Sequence, residues 1–353
     1  MKALYWLVPV VSFALFIGAF AIGVSPIVAT FCTVGLVGAV LVAVHHAEVV
    51  AHRVGEPFGT LILALAVTII EASLVLSMML AGGESATVLA RDTIFAAVMI
   101  ICNGVVGLCI LVGGIAHREQ SFHVAGSGAG LAALIVMATL SLVLPQFTTS
   151  TPGGTYNHAQ LGFVAVTSAA LWAIYVFIQT VRHRDYFLPP PGTADDHAAP
   201  PTNREAWTSF ALLLVSLVSV VGLAKALSPS IESALASLGA PKAVLGIAIA
   251  LLVLLPETVA AVRAARADRF QTSMNLSVGS ALASIGLTIP VVAVAAIDLD
   301  LPLVMGLEPR DMVMLAVTFV VSTVTLATGR THVMQGAIHL VLFATFLFLS
   351  FVP

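Results

Sequence analysis

The stretches LILALAVTIIEASLVLSMML (61–80) and GIAIALLVLLPETVAAV (246–262) decide the fold, because each holds one carboxylate inside a long apolar run. About 20 apolar residues, at about 1.5 Å rise per residue, carry a helix across the ~30 Å hydrocarbon core of a bilayer. The runs are continuous and lack the alternation of polar and apolar residues found in barrel strands. They predict membrane-spanning helices, with Glu71 and Glu257 at membrane depth.

Composition extends this prediction to the whole chain. Of 353 residues, 59% are hydrophobic and 9% are charged, and the mean hydropathy is +1.09. These values exclude a soluble globular protein. We predict an all-α polytopic membrane protein with about eleven spans, at 4–23, 26–44, 59–80, 93–115, 124–145, 160–181, 207–227, 241–262, 274–297, 311–328 and 333–352.

The basic residues predict the orientation of these spans. If the N-terminus is cytoplasmic, ten of the 14 basic residues fall on the cytoplasmic side: Lys2, Arg53, Arg118, Arg182, Arg184, Arg204, Arg263, Arg266, Arg269 and Arg330. The outer segments then hold four: Arg91, Lys225, Lys242 and Arg310. The positive-inside rule predicts a cytoplasmic N-terminus and an external C-terminus. We expect the bacterial inner membrane as the location.

A Pro-rich polar segment separates two groups of five spans. Such a composition favours extended, unpacked chain, which predicts a cytoplasmic linker. The predicted order is an N-terminal helix, a first repeat, the linker and a second repeat, at 1–25, 26–181, 182–206 and 207–353. Five spans per group invert the second repeat relative to the first, as in many secondary transporters whose substrate sites lie near the midplane. Glu71 and Glu257 each fall in the second helix of their group.

Two buried carboxylates suit a cation site that protons also occupy. An acidic group at a helix centre costs ~2.5–3.5 kcal/mol on insertion scales, so Glu71 and Glu257 indicate an ion or proton pathway. Burial favours the protonated carboxyl and a nearby cation favours the ionised one, so protons and metal compete for the same oxygens. Ca²⁺ takes about six to eight oxygen ligands. Neutral candidates for the remaining ligands are Thr68, Asn103, Thr258, Ser280 and Ser284.

Three local features add smaller predictions. Pro256 removes a helix hydrogen bond next to Glu257 and frees a backbone carbonyl one turn earlier. His45, Glu48 and His52 share one helical face between two spans, which predicts an interfacial amphipathic helix and leaves open metal binding or pH sensing. Asp92 directly precedes the apolar run from Thr93, and we predict that it caps that helix.

These residues resemble the calcium/cation antiporter superfamily, and most closely its bacterial calcium/proton exchanger branch. The resemblance rests on GEPFGTLILALAVTIIEASLVLSMML (55–80), ARDTIFAAVMIICNG (90–104) and LLVLLPETVAAVRAARADRFQTSMNLSVGSALASIGLTIP (251–290). It implies that the two acidic residues bind the transported cation and exchange it for protons. It also matches Asn103 and the element Gly279, Ser280 and Ala281 to the family's polar positions. The chain departs where some proton-coupled relatives carry glutamine, since Ala283 stands there.

Together, these features predict an alternating-access antiporter that exports Ca²⁺ from the cytoplasm in exchange for protons. Na⁺/H⁺ or K⁺/H⁺ antiport on the same scaffold is the alternative, and a cation channel is a second one. We do not expect an enzyme, because His339, the one histidine well inside a predicted span, has no partner of a metal or nucleophile motif in the sequence. The implied partners are metal cations, protons and the lipid bilayer. No cofactor and no nucleic-acid partner are expected.

Overall fold

The computed structural model describes residues 2–55, 58–81, 86–188, 201–238, 241 and 243–352. Within these ranges the chain forms eleven long helices: α1 (Lys2–Ile22), α2 (Pro26–Val54), α3 (Phe58–Ala81), α4 (Ala86–His117), α5 (Val124–Gln146), α6 (His158–Arg182), α7 (Asn203–Leu238), α8 (Ala243–Arg266), α9 (Phe270–Asp298), α10 (Pro309–Ala327) and α11 (Val333–Phe351). Ten are long and apolar enough to cross a membrane, and the apolar part of α3, Leu65–Leu80, is shorter. The predicted all-α class and the predicted number of about eleven helices are confirmed. The division into one N-terminal helix and two groups of five stays a prediction.

Several predicted boundaries change. Helix α2 continues to Val54, so the separate interfacial helix predicted around His45 is wrong. The continuation has a physical cause, because the ring of His45 stacks on Tyr5 of α1 at 3.7 Å and the neighbouring His46 is buried. Helix α7 begins at Asn203, inside the predicted linker. Residues 189–200 of that linker lie outside the described residues.

One compact unit contains residues 1–89 and 196–245, and therefore helices α1, α2, α3 and α7. Helices α2 and α7 form its centre, since each packs against both α1 and α3 and against the other. Close packing between α1 and α7 depends on Gly222, where an added Cβ would lie 2.2 Å from the ring of Phe16. The Ser12 hydroxyl joins α1 to α2 by donating to the Gly35 carbonyl at 2.9 Å.

A second compact unit contains residues 90–195 and 246–353, with α5, α6, α9, α10, α11 and most of α4 and α8. Helix α9 packs against α4, α5 and α6, and α11 packs along α4. Small residues allow the latter approach, because an added Cβ at Gly107 would lie 2.9 Å from His339 Cβ, and one at Gly336 would lie 2.6 Å from the Leu111 nitrogen. Glycines at such crossings bring helix backbones together in membranes.

Short segments close both ends of the second unit. Strand β1 (Glu119–Ser121) follows α4 and pairs antiparallel with β2 (Arg330–His332), which precedes α11. Gln120 of β1 also donates to the Ala265 carbonyl at 2.8 Å, in the last turn of α8. At the opposite end, Thr155 and Val304 form an isolated β-bridge. In this unit, loops that the charge distribution assigns to the same side of the membrane therefore do lie together.

The described surface is apolar where a soluble protein would be polar. Large hydrophobic side chains stand outward along the helices, among them Ile22, Ile27 and Val166, at 77%, 72% and 69% exposure. Soluble monomers rarely expose continuous apolar area on this scale. Lipid is the solvent that such a surface matches.

Candidate cation site

Glu71 lies on the buried face of α3 in the first unit. Its side chain is 2% exposed, and Thr68, one turn earlier, is 4% exposed. Val67, Leu74 and Met78 are buried at helical spacing on the same face. The apolar periodicity of α3 therefore turns the carboxyl and the hydroxyl inward together.

Glu257 and Ser280, two residues of the predicted site, are in contact in the second unit. Glu257 on α8 is 8% exposed and Ser280 on α9 is 7% exposed. The Ser280 hydroxyl donates a hydrogen bond to the Glu257 carboxylate at Oε2. Pro256 does not break α8, which runs on to Arg266. The structure thus brings a predicted carboxylate and a predicted neutral oxygen together across two helices.

Ser280 belongs to a longer hydroxyl stripe on α9. Five buried hydroxyl residues recur on this helix at spacings of three or four: Ser273, Ser277, Ser280, Ser284 and Thr288. Only Ser280 and Ser284 are among the predicted ligands, although the helical spacing also identifies the other three. Thr258, by contrast, is half-buried and donates to the Leu254 carbonyl of its own helix at 2.7 Å.

Asn103 lies in a π-helical stretch, Ile100–Val105, in the middle of α4. This side chain is fully buried, and its amide nitrogen donates to the Thr318 hydroxyl on α10 at 2.8 Å. Its amide oxygen lies 3.2 Å from Nδ1 of His339 on α11. Single π-helical turns inside α-helices are frequent at functional sites. Asn103 therefore joins three helices, a role that hydropathy does not reveal.

His339 has hydrogen-bonding partners on two other helices. Besides the contact with Asn103, its Nε2 lies 3.1 Å from the Thr325 hydroxyl. The ring also forms a hydrogen bond with the backbone of Cys102. His339, Thr318 and Thr325 are the polar residues of this region that sequence reasoning missed, because their partners lie far away along the chain.

Two further predictions are corrected or left without support. Asp92 is not a helix cap: it lies inside α4, which begins at Ala86, and it pairs with Arg91 at 2.8 Å. Among the described residues, no group of three His, Cys, Asp or Glu side chains is arranged to hold a metal. His45, Glu48 and His52 therefore do not form such a group. The pairing of Glu71 with Glu257 stays a prediction.

Comparison with known proteins identifies relatives along nearly the whole chain. The sequence profile described as "Sodium/calcium exchanger protein" matches residues 24–181 and 208–352. The protein y4hA of Sinorhizobium fredii is 49% identical over 318 residues, covering 90% of this chain and 87% of that protein. The sodium-potassium/proton antiporter ChaA of Escherichia coli is 36% identical over 323 residues, with the same 90% and 87% coverage.

The fold is also that of a solved transporter. The structure of native YfkE, a Ca²⁺/H⁺ antiporter protein, superposes with a TM-score of 0.75 at 15% identity, covering 99% of this chain and 100% of that one. At this identity the likeness concerns the fold alone. With the profile match and the ten apolar helices, it follows that this integral membrane protein belongs to the sodium/calcium exchanger protein family.

Proposed function

We propose that this protein is a proton-coupled cation antiporter that exports Ca²⁺ from the cytoplasm as protons enter. The observation that carries the proposal is the burial of one carboxylate on α3 and one on α8, at 2% and 8% exposure for Glu71 and Glu257. Each carboxylate lies in the second helix of its predicted repeat. Buried acidic groups in membrane helices are costly and are retained where ions or protons pass.

Charge balance favours a divalent cation. Two ionised carboxylates neutralise one Ca²⁺, and two protons neutralise the same pair, so neither loaded state carries net charge across the bilayer. Ser280, hydrogen-bonded to Glu257, would add a neutral oxygen, as would Thr68, Asn103, Ser284 and, less directly, Thr258. Oxygen-rich sets of this kind suit hard cations.

Antiport of Na⁺ or K⁺ for protons is the second candidate. It is favoured by the 36% identity to a protein named as a sodium-potassium/proton antiporter. A monovalent ion needs less charge compensation, so one carboxylate and neutral oxygens would hold it. The two candidates share the scaffold and the glutamates and differ in the cation.

The orientation and the repeats complete the proposal. We place the N-terminus in the cytoplasm and the C-terminus outside the bacterial inner membrane, on the charge distribution of the sequence. The two ranges matched by the family profile, 24–181 and 208–352, support repeats at 26–181 and 207–353 separated by a cytoplasmic linker. Alternating access would expose the carboxylates to each side in turn.

The test uses inside-out membrane vesicles with an acid interior and a fluorescent pH reporter. Ca²⁺, Na⁺ and K⁺ are added separately to wild type, Glu71→Gln, Glu257→Gln and the control Glu119→Gln. Glu119 is the control, because its carboxylate is exposed on β1 and forms a solvent-exposed ion pair with Arg330 at 3.9 Å. We expect Ca²⁺ to release protons in wild type and control, and in neither of the other two variants.

The other outcomes are equally informative. Proton release by Na⁺ or K⁺ but not by Ca²⁺, lost in the same two variants, would replace Ca²⁺ by the second candidate. Exchange that persists in both Glu71→Gln and Glu257→Gln would reject the proposed site. A wild-type protein that responds to none of the three cations would reject proton-coupled antiport of these ions.

A further inference from the structure

We propose that His339 is a positioning residue for the cation site, acting through the side-chain amide of Asn103. The inference rests on the proposed function, in which Asn103 supplies an oxygen near the transported cation. It goes beyond it by assigning a role to a residue on the last helix of the chain, α11. The evidence is a chain of hydrogen bonds inside the second unit.

The hydrogen bonds have a defined direction. The Asn103 nitrogen can only donate, and it faces the Thr318 hydroxyl at 2.8 Å. In the orientation that the structure gives the amide, the Asn103 oxygen faces the Nδ1 of His339 at 3.2 Å, and an oxygen that can only accept requires the proton on that nitrogen. In a neutral imidazole the Nε2 is then an acceptor, and the Thr325 hydroxyl at 3.1 Å donates to it. With the amide in the orientation that the structure gives it, every member of the chain has a partner.

Burial makes this arrangement matter. Asn103, Thr318 and His339 are each 0% exposed, so bulk water cannot replace a lost partner. An amide has nearly the same shape in both orientations, and only its partners distinguish oxygen from nitrogen. With His339 donating on one side and Thr318 accepting on the other, the oxygen is held towards α11. A carbonyl oxygen has two lone pairs, and in the proposed function the second one would bind the cation.

Packing holds the imidazole in place. An added Cβ at Gly107 would lie 2.9 Å from His339 Cβ, and one at Gly104 would lie 3.3 Å from the ring of Phe343, one turn further along α11. The cavity beside the imidazole has a volume of about 20 Å³, little more than one water occupies. The close approach of α11 to α4 therefore brings the imidazole to the π-helical turn that holds Asn103.

The experiment measures cation KM and maximum exchange rate in the vesicle assay, with the cation that releases protons from wild type. His339→Leu removes both ring nitrogens, while His339→Asn keeps a nitrogen donor at the Nδ1 position. Ser322→Ala is the matched control, since Ser322 lines the same cavity. We expect His339→Leu to raise KM about tenfold with a maximum rate within about twofold of wild type. His339→Asn should recover most of the change, and the control should behave as wild type.

A double variant separates positioning from general damage. If His339 acts through Asn103, then adding His339→Leu to Asn103→Ala should not raise KM further. If the two residues act independently, the fold-changes in KM of the two single variants should multiply in the double variant. Multiplying effects, or equal losses in His339→Leu and His339→Asn, would overturn the inference even if both glutamates prove essential. Exchange that survives Glu71→Gln and Glu257→Gln would instead reject the proposed site. Should His339→Leu fail to assemble, Thr318→Val removes the other partner of the same amide and must raise KM for the inference to stand.

Discussion

Removing the Ser280 hydroxyl is the sharpest test of the candidate site. Ser280→Ala deletes the donor to Glu257. Ser277→Ala is a matched control one turn earlier. Its hydroxyl is also buried, but it donates to the Ser273 carbonyl of its own helix at 2.9 Å. The two variants make the same chemical change and differ only in the partner that is lost.

The expected magnitude follows from burial and charge. A hydrogen bond to a charged group contributes about 1.5–3 kcal/mol. At 7% and 8% exposure, Ser280 and Glu257 are screened too little for that value to be strongly reduced. Since ~1.4 kcal/mol is a factor of ten in an equilibrium constant, loss of this bond should shift the equilibrium of Glu257 from the ionised towards the protonated form by about ten- to a hundredfold. The cation binds that ionised form, so its apparent KM should rise by a similar factor.

The assay is the same vesicle exchange, with the cation titrated at a fixed proton gradient. We expect a large rise in KM for Ser280→Ala, a KM close to wild type for Ser277→Ala, and partial recovery in Ser280→Thr, which restores the hydroxyl. A KM for Ser280→Ala that equals that of wild type would refute the role of this hydrogen bond. Equal losses in Ser280→Ala and Ser277→Ala would show that the loss of either serine damages the helix, rather than the site.

Three further predictions concern stability, each measured as the shift of the thermal unfolding midpoint in detergent. Gly107→Ala should destabilise the protein by about 1–3 kcal/mol through overpacking against α11, while Gly279→Ala, with nothing within 4 Å of its added Cβ, should be neutral or stabilising. Gln120→Leu should lower the free energy of unfolding by about 1–3 kcal/mol, because the buried Gln120 amide donates to the Ala265 carbonyl at 2.8 Å and leucine cannot. Tyr156→Phe should lower the free energy of unfolding by about 1 kcal/mol, because it removes the 2.6 Å hydrogen bond from the Tyr156 hydroxyl to a carbonyl of α5. Burial raises the pKa of Tyr156 to about 12, so the stability that its neutral form contributes is complete below about pH 10 and is lost as the pH rises towards 12.

The sequence predicts most of the helices because hydrocarbon leaves a chain few choices. A run such as 61–80 must satisfy its own backbone in lipid, and a helix does so without partners. Glu71 and Glu257 stand out for the same reason, since a carboxyl is conspicuous only against an apolar background. The failures come from tertiary neighbours. The position of Asp92 directly before an apolar run predicts a helix cap, but the adjacent Arg91 pairs with it and the helix begins six residues earlier, at Ala86.

The polar network lay beyond sequence reasoning for a different reason. His339 and Asn103 are 236 positions apart, and no local pattern encodes their contact. The π-helical turn at Ile100–Val105 adds one residue to a helix without changing its hydropathy. The contact depends on where α11 crosses α4, and glycines such as Gly107 and Gly336 lie at that crossing. Alternation and periodicity report which face is buried, and they do not report against which helix.

The β1–β2 ladder has a mechanical consequence. It ties the last residues of α4 to the first residues of α11, at the end where the two helices leave their glycine-lined crossing. Helices α4 and α11 are thus held together by their packing and, at one end, by the strand pair, and they should move as one rigid body. Spectroscopic labels placed on the two strands should keep a constant separation through a transport cycle. If so, the conformational changes of transport involve the other helices. The positions of those helices can then be measured relative to α4 and α11.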